Sequence, residues 1–404
     1  MAVLNSLGRT NVLSSYRDEA SLELSAGHFA AACDAFFFIH PTTGDFLPLA
    51  IRTDGANMIY TPSDTANDWL LAKMMFNAND IWFANWQHFA NSHFVLEITF
   101  EAAFRSFSDS HPILALLDHL SPEIFSFAQL YASTLAPAGG YIDKATAHTG
   151  AAATKKSEAL YKSKAGEFQS NYMMDDLKSR HMVDCAFGPS LKSFPFVDDA
   201  GTIRDAIENF ITVFVDSYYA NAAEFKADKE LVAWIAEAVP AKIKNFPTKI
   251  DRATLIDVLT HFAFLGGVVH HTLNSNELAD VTAALPFHPM SLSKAPPTAK
   301  GVTNVASYLP TVTTAVTQVV FAALFSRPQL FNSDRSLTHM FSNATFLAKT
   351  NVKTKMAAAK FQTAMESQSA KIQARKFDSN GLSQGMPFIW KGLDPKRIPF
   401  ELMA

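Results

Sequence analysis

The sequence predicts a mainly α-helical protein built around one long central helix. Between Pro62 and Pro112 the chain contains neither Pro nor Gly, and its apolar residues lie on every side of a helical projection. This pattern is typical of a helix of roughly 40 residues that passes through the protein interior. The 404 residues are 48% hydrophobic and include 34 Phe, so the chain can bury an extended core around such a helix.

Helical patterns continue along the rest of the chain. They cover residues 114–134, 202–222, 228–242, 252–275, 304–325 and 353–375. Residues 136–156 and 293–302 are rich in Ala, Gly, Pro, Ser and Lys and are predicted to be loops. The run 302–326 has no charged residue, but its threonines, Asn304, Gln318 and Pro310 favour a buried core helix over a transmembrane span. No internal repeat is found, so a single domain covering residues 1–404 is expected.

Charge and cysteine content argue against several classes of protein. The formal net charge is −4, without the basic bias of a nucleic-acid-binding protein, so no nucleic-acid partner is expected. Two cysteines, Cys33 and Cys185, cannot form a disulfide framework, which favours a reducing compartment. The N-terminal residues include Arg9 and Arg17 and lack the apolar stretch of a signal peptide. A cytoplasmic location is therefore expected.

Two pairs of polar residues have spacings that suit a metal ion. His270 and Asn274 are four apart and would share one face of an α-helix. His88 and His93 are five apart, which on a regular α-helix separates them by about 140°. A π-type turn would bring them onto one face. Imidazole and oxygen donors favour a non-haem iron-type site over a thiolate site, whereas the alternative is that these are ordinary histidines among the 13 of the chain.

The residues around the first histidine pair resemble those of the lipoxygenase family. The matching residues, in order, are Trp69, Leu70, Leu71, Ala72, Lys73, Asn79, Asp80, His88, His93, Glu97, Arg105, His111, Pro112 and Ile113. Residues 36–39 and 47–51, joined through Gly44, resemble the strand, turn and strand of that family. The resemblance runs from about residue 30 to the chain end, and residues 1–30 match poorly. It implies a mainly α, lipoxygenase-like catalytic domain around a long central helix, with a small β-hairpin near the N-terminus.

The resemblance also implies a set of metal ligands. His88, His93 and His270 would be fixed ligands, Asn274 a weak or variable one, and the carboxylate of Ala404 would complete the set. One iron ion per chain is expected, with manganese as the alternative. A metal-bound hydroxide, rather than a side chain, would then be the catalytic group.

Several residues near the expected metal depart from the family pattern. Asn85 and Glu277 stand near positions where the family usually has glutamines that link the ligands to the pocket. Glu97 matches a family glutamate, which either forms an ion pair between helices or tunes the ligands from outside the coordination sphere.

The expected substrate pocket departs further from the family. Leu135 and Ile142 match its aliphatic wall, but Tyr131 stands where the family has the Ala or Gly that governs the position of oxygen addition. Phe321 stands where a leucine holds the pentadiene. Either these two rings narrow the channel or they pack in the core.

The function implied is that of a dioxygenase that adds O2 to a polyunsaturated fatty acid or a smaller unsaturated lipid and forms a hydroperoxide. The alternative is a divergent relative that acts as a hydroperoxide isomerase or lyase, or as a non-catalytic lipid-binding scaffold. Only 87 residues precede His88, which implies a shortened domain without the family's N-terminal β-barrel lipid-binding domain. The channel mouth is then expected to be more open, or covered by a partner or a second copy of the chain.

Overall fold

The predicted central helix forms the axis of the fold. The computed structural model describes residues 12–15, 21–53, 57–180, 182–183, 191–239, 241, 243–273, 289–325 and 328–402. Helix α1 (Ala66–His88), a π-helix (Phe89–Phe94) and helix α2 (Val95–Ser106) follow one another without a break. Because no Pro or Gly interrupts them, these segments form one continuous rod, and the sequence prediction of its extent is confirmed.

The other helices surround this rod. The further α-helices are α3 (Pro112–Leu120), α4 (Ser126–Leu130), α5 (Tyr141–Ala145), α6 (Gly150–Lys162), α7 (Met173–Ser179), α8 (Pro195–Tyr218), α9 (Ala222–Ala227), α10 (Lys229–Ala238), α11 (Arg252–Phe264), α12 (His270–Leu273), α13 (Val312–Ala323), α14 (Ala344–Ala348) and α15 (Val352–Gln373). Two further π-helices are Tyr131–Leu135 and Leu265–Val269, and short 3-10 helices are Lys164–Gly166, Gln169–Asn171, Val305–Tyr308, Pro328–Leu330 and Leu337–His339. The mainly α fold class is confirmed.

The expected β-hairpin belongs to a four-stranded antiparallel sheet. Its strands β1 (Val12–Ser15), β2 (Cys33–Ile39), β3 (Phe46–Thr53) and β4 (Ile59–Tyr60) are paired in chain order. Strands β2 and β3 form the predicted hairpin, with a register shift between Phe36 and Phe37. Gly44 in the connecting turn has φ 71°, a conformation that glycine adopts without steric cost. The sheet packs against the first half of α1.

Three apolar clusters form the core of the described structure. The largest joins α2, α3, α8, α10, α11 and α15 with residues of the C-terminal segment. A second lies between the sheet and the first half of α1. A third gathers aromatic side chains around the second half of α1, together with α5, α6 and α13. The rod therefore passes from one cluster into another, and its π-helix lies within the interior.

The loop prediction for residues 136–156 was wrong. Helix α5 lies within this range and α6 begins in it. The Thr149 hydroxyl accepts a hydrogen bond from Ala152 N and caps α6, whose alanine-rich sequence favours helix. Gly150 was read as a loop residue, but it allows close packing instead: a Cβ there would lie 2.2 Å from the Ala136 carbonyl oxygen.

The prediction of a buried core helix within residues 302–326 was also wrong. Helix α13 buries Gln318 and Phe321 on one face. On the other face Val312 is 83% exposed and Val316 is 57% exposed. The segment is apolar, as its composition indicates, but only one side of α13 packs against another element in the described structure.

One described segment has the length and hydropathy of a membrane span. It runs from Arg252 to Thr272, has a mean hydropathy of 1.4, and 78% of it is buried inside the protein. A core helix of this length passes the same test, and burial of this extent is typical of such a helix.

The start of the rod is fixed by a buried carboxylate. Asp68 accepts hydrogen bonds from Gly301 N and Val302 N, each 3.0 Å long, and from the Thr65 hydroxyl at 2.8 Å. Burial alone would raise the pKa of Asp68, but these donors hold the pKa below its usual value. The carboxylate thus connects α1 to the segment that follows residue 300.

We expect Asp68→Asn to lower the free energy of unfolding by about 1.5–3 kcal/mol at neutral pH, because hydrogen bonds to a charged acceptor are lost. The pKa of Asp68 is lower in the folded protein than in the unfolded chain, so its contribution to stability is fully present above the unfolded-state pKa. This contribution is lost as the pH falls through the folded-state pKa. Urea unfolding of both proteins between about pH 7 and pH 3 should therefore show converging stabilities. Asp45→Asn, which removes an exposed ion pair with Lys192, should cost much less. A constant difference across this pH range would contradict the assignment.

Candidate metal centre

Three buried histidines converge in the interior. One ring nitrogen from each of His88, His93 and His270 lies within 4.8 Å of the others. The ring centroids are 5.7 Å apart for His88 and His93, 5.6 Å for His88 and His270, and 4.7 Å for His93 and His270. All three side chains are buried. This is a spacing at which three imidazoles can bind one ion.

The π-helix Phe89–Phe94 brings His88 and His93 together. A spacing of five residues matches the i→i+5 repeat of a π-helix, so both rings point to the same side. The Ser92 hydroxyl donates a hydrogen bond to the His88 carbonyl, which lies at the start of this wide turn. The π-turn predicted from the histidine spacing is therefore confirmed.

His270 also follows a π-helix. The segment Leu265–Val269 separates α11 from α12, and His270 is the first residue of α12. This segment is not predicted by the helical pattern of residues 252–275. The signal available was the pair Gly266 and Gly267, because glycines within an apolar helix often mark a site of close backbone approach.

His88 and His93 are uncharged at physiological pH. Burial lowers the pKa of His88 to about 4, while hydrogen bonding to the carbonyls of Ala84 and Asn85 partly opposes the shift. Burial also lowers the pKa of His93 well below its usual value, and the neighbouring His88 and His271 lower it further. A neutral imidazole offers a nitrogen lone pair, which is the form that binds a metal.

The hydrogen bonding of these rings fits a metal ion. His88 Nδ1 donates to the Ala84 carbonyl, 3.4 Å away. Within the described residues, His88 Nε2 and both ring nitrogens of His93 have no hydrogen-bond partner. Buried polar atoms are usually satisfied, so unpaired nitrogens that converge with a third imidazole are suited to hold a metal ion. The donor set suits a borderline transition metal.

Aromatic rings surround the histidines. The ring of His93 lies 4.9 Å from Phe89 and 4.5 Å from Phe127, measured between centroids. His271 lies next to His270 at 4.5 Å, although the set of converging ligand atoms does not include it. An apolar shell of this kind keeps bulk water from the site and strengthens electrostatic interactions inside it.

A small cavity lies directly beside His88. Its volume is about 20 Å³, and its lining residues are Asn85, Trp86, His88, Phe89, Phe127, Leu135, Phe321 and Phe325. Three residues expected near the pocket, Asn85, Leu135 and Phe321, therefore lie at this cavity. Ile142 is fully buried in the same apolar cluster.

Tyr131 lies one layer further from the metal site. Its ring is 5.6 Å from Phe89 and 6.2 Å from Trp86, and its hydroxyl lies 2.8 Å from Thr154 Oγ1. Burial raises the pKa of this phenol, and the bond to Thr154 opposes the shift. Tyr131 thus packs behind the cavity wall.

Glu97 is half-buried one turn beyond His93. It forms no ion pair with any residue that the structure describes, so the expected pairing between helices is not seen there. Burial raises the pKa of its carboxyl to about 7. Asn274, Glu277 and Ala404, which were also expected at the site, lie outside the described residues.

The C-terminal segment approaches the site from the side of α12. His271 Nε2 donates a hydrogen bond to the Glu401 carbonyl, 2.9 Å away, and Leu402 is buried. The Glu401 carboxylate is paired with Arg335. Sequence reasoning missed this contact, for which the available signal was one acidic residue among the apolar residues that end the chain.

Comparison with known proteins agrees with this arrangement. The lipoxygenase family model matches residues 45–380. Manganese lipoxygenase of Colletotrichum gloeosporioides is 42% identical over 395 residues, which are 96% of this chain and 65% of that protein. Manganese lipoxygenase of Fusarium oxysporum is 42% identical over 381 residues, which are 93% of this chain and 62% of that protein.

A solved structure of a manganese lipoxygenase superposes with a TM-score of 0.93 at 37% identity, covering 96% of this chain and 70% of the other. The present chain spans less than two thirds of the length of the two curated relatives. The family match nevertheless extends over both segments that carry the three converging histidines. This chain belongs to the lipoxygenase family.

Proposed function

We propose that this protein is a metal-dependent dioxygenase that adds O2 to a polyunsaturated fatty acid, or a smaller lipid with a 1,4-diene, and forms a hydroperoxide. The observation that carries the proposal is the group of three buried histidines with converging ring nitrogens in a chain of the lipoxygenase family. The chain has a non-haem metal site. We propose manganese as its metal, one ion per chain, because relatives 42% identical to this chain are named manganese lipoxygenases. Iron, the first expectation from the sequence, becomes the alternative.

In this proposal His88, His93 and His270 hold the ion with neutral nitrogen donors. Asn274 and the carboxylate of Ala404 are proposed as further oxygen donors. A redox-active ion bound there supplies the one-electron chemistry needed to break a bis-allylic C–H bond before O2 adds. The protein fixes the three rings and excludes water. Asn85, Glu97 and Glu277 are proposed to adjust the site from outside the ligand set.

The residues beside His88 are proposed to form the substrate wall. Leu135, Phe321 and Phe325 offer an apolar surface that can hold an acyl chain close to the histidines. A cavity of about 20 Å³ holds roughly one water molecule, so these rings must move before a fatty acid can enter. Phe321 and Phe325 lie near the end of α13, where one helix face is exposed. They are therefore the side chains best placed to move and open the cavity.

The comparisons do not favour the alternative function, a hydroperoxide isomerase or lyase or a lipid-binding scaffold without catalysis, because relatives that match 96% and 93% of this chain are named manganese lipoxygenases. The two functions differ in oxygen demand, because a dioxygenase consumes O2 with a fatty acid, whereas an isomerase or lyase consumes a hydroperoxide without O2. Three further expectations from the sequence stay predictions. They are a cytoplasmic location, a single domain over residues 1–404, and a partner or second copy covering the channel mouth.

Replacing His88, His93 or His270 with Ala should remove the metal and the oxygenase activity together. Loss of a direct ligand should reduce metal affinity by more than the roughly 10–100-fold typical of changes outside the ligand set. Elemental analysis of purified protein, combined with O2 uptake on a panel of fatty acids, measures both effects. His261→Ala is the matched control, since His261 is also buried and lies on α11 but is not among the converging residues. Full metal occupancy in His93→Ala would refute the ligand assignment.

Phe321→Leu should widen the cavity beside His88 and alter the substrate range or the position of oxygen addition. Removing part of a ring that lines a pocket relieves steric exclusion, whereas removing it from a packed core mainly costs stability. Tyr131→Phe should lose about 1 kcal/mol or less of stability, from the bond to Thr154, and keep the product pattern. Chromatography of the products and urea unfolding separate these outcomes. An unchanged product pattern in a destabilised Phe321→Leu variant would assign this ring to the core.

A further inference from the structure

The C-terminal segment is attached to a loop that precedes α14. Leu337 N donates to the Ile398 carbonyl at 2.8 Å, and Phe400 N donates to the Arg335 carbonyl at 3.2 Å. Between these bonds Ser336 and Pro399 form an isolated antiparallel bridge. This single bridge, with a backbone hydrogen bond on each side of it, fixes the register of the C-terminal segment.

The other side of the C-terminal segment packs on the π-helix that precedes His270. A Cβ added to Gly267 would lie 3.2 Å from the Phe400 carbonyl oxygen and 2.6 Å from Met340 Cε. A Cβ added to Gly266 would lie 3.8 Å from Leu402 N. The lack of a side chain at Gly267 thus allows the segment to lie close to the helix, whereas a Cβ at Gly266 would make only ordinary van der Waals contact.

Two polar contacts fix the segment at this position. His271, the residue next to His270, donates through Nε2 to the Glu401 carbonyl at 2.9 Å. The Glu401 side chain is 1% exposed, and its carboxylate is bonded by Nε and Nη2 of Arg335, whose side chain is 34% exposed. A carboxylate buried this deeply requires a paired cation, and the planar guanidinium provides it in a defined orientation.

We propose that the Arg335–Glu401 ion pair is a positioning device for the metal centre. The pair holds Glu401 in the place where its carbonyl accepts the bond from His271, and that bond fixes the rotation of α12 and hence the ring of His270. Neither residue contacts the reacting atoms. The inference rests on the proposed metal-binding function, because its consequence is the retention of the ion held by His88, His93 and His270.

The test compares metal release from full-length proteins loaded with Mn²⁺ and transferred into an excess of chelator. Glu401→Gln and Arg335→Met should each release the ion about 10–100-fold faster than the unmodified protein, as is typical when a partner of a ligand is lost. If Glu401 and Arg335 acted independently, their separate effects on the rate of Mn²⁺ release would add in the double variant. Because we propose that they act as a pair, we expect clear non-additivity. Arg335→Lys, which keeps the charge, should restore part of the retention.

A second readout follows the C-terminal segment itself. Carboxypeptidase digestion should be faster in Glu401→Gln than in the unmodified protein, because the segment is released from Arg335. Asp199→Asn is the matched control: Asp199 is also buried and paired with an arginine, Arg375 at 2.5 Å, on elements that do not carry the histidines. This variant should lose stability but keep normal metal release and digestion.

The outcomes separate the inference from the proposed function. If the unmodified protein takes up neither Mn²⁺ nor Fe²⁺, the proposed function fails. If it binds Mn²⁺ but Glu401→Gln releases the ion at the rate of Asp199→Asn, the ion pair is only structural and the inference is wrong. Should Glu401→Gln not fold, Arg335→Met decides, because a release rate no faster than that of Asp199→Asn would also overturn the inference.

Discussion

The structure depends on one additional residue in a helical turn between His88 and His93. On a regular α-helix these rings would diverge, and the apolar interior would contain two unrelated polar groups. The π-helix Phe89–Phe94 absorbs the additional residue without ending the rod, so the helix that organises the core also presents two nitrogen donors on one side. A wide turn is weakly stable by itself, and it persists here because apolar packing surrounds it on every side.

Sequence patterns predicted the features that depend on residue spacing. Their predictions were wrong where contacts with neighbouring elements determine the structure. The extent of the rod followed from the absence of Pro and Gly, and the π-turn followed from a five-residue histidine spacing that an α-helix cannot accommodate. Helix α6 was missed because its first residue, Gly150, was read as a loop residue, whereas this glycine permits contact with Ala136. The exposed valines of α13 could not be foreseen, because composition does not show which face of a helix has a neighbour. The convergence of His88, His93 and His270 was expected from family resemblance, but their role as ligands stays a prediction.

The packing that shields the histidines from water also restricts access to them. Burial among the aromatic rings keeps the His93 imidazole uncharged, which suits metal binding, and the same rings leave almost no free volume beside His88. The proposed fatty-acid substrate is a flexible chain of many methylene groups, so it could enter only by displacing side chains at the cavity wall. Packing density near the site thus limits which substrates reach it, and the end of α13 is the part of the wall with the fewest neighbours among the described elements.

The hydrogen bond between His271 and Glu401 joins residues that are 130 positions apart in the chain. During synthesis, α12 leaves the ribosome before Glu401 does, so the helix that carries His270 lacks this contact until the residues between them have emerged. A site arranged in this way is assembled late, after the rod and its surrounding helices have formed. Metal capture would then follow the folding of the protein rather than direct it, and a nascent chain would be unable to start redox chemistry before its core has closed.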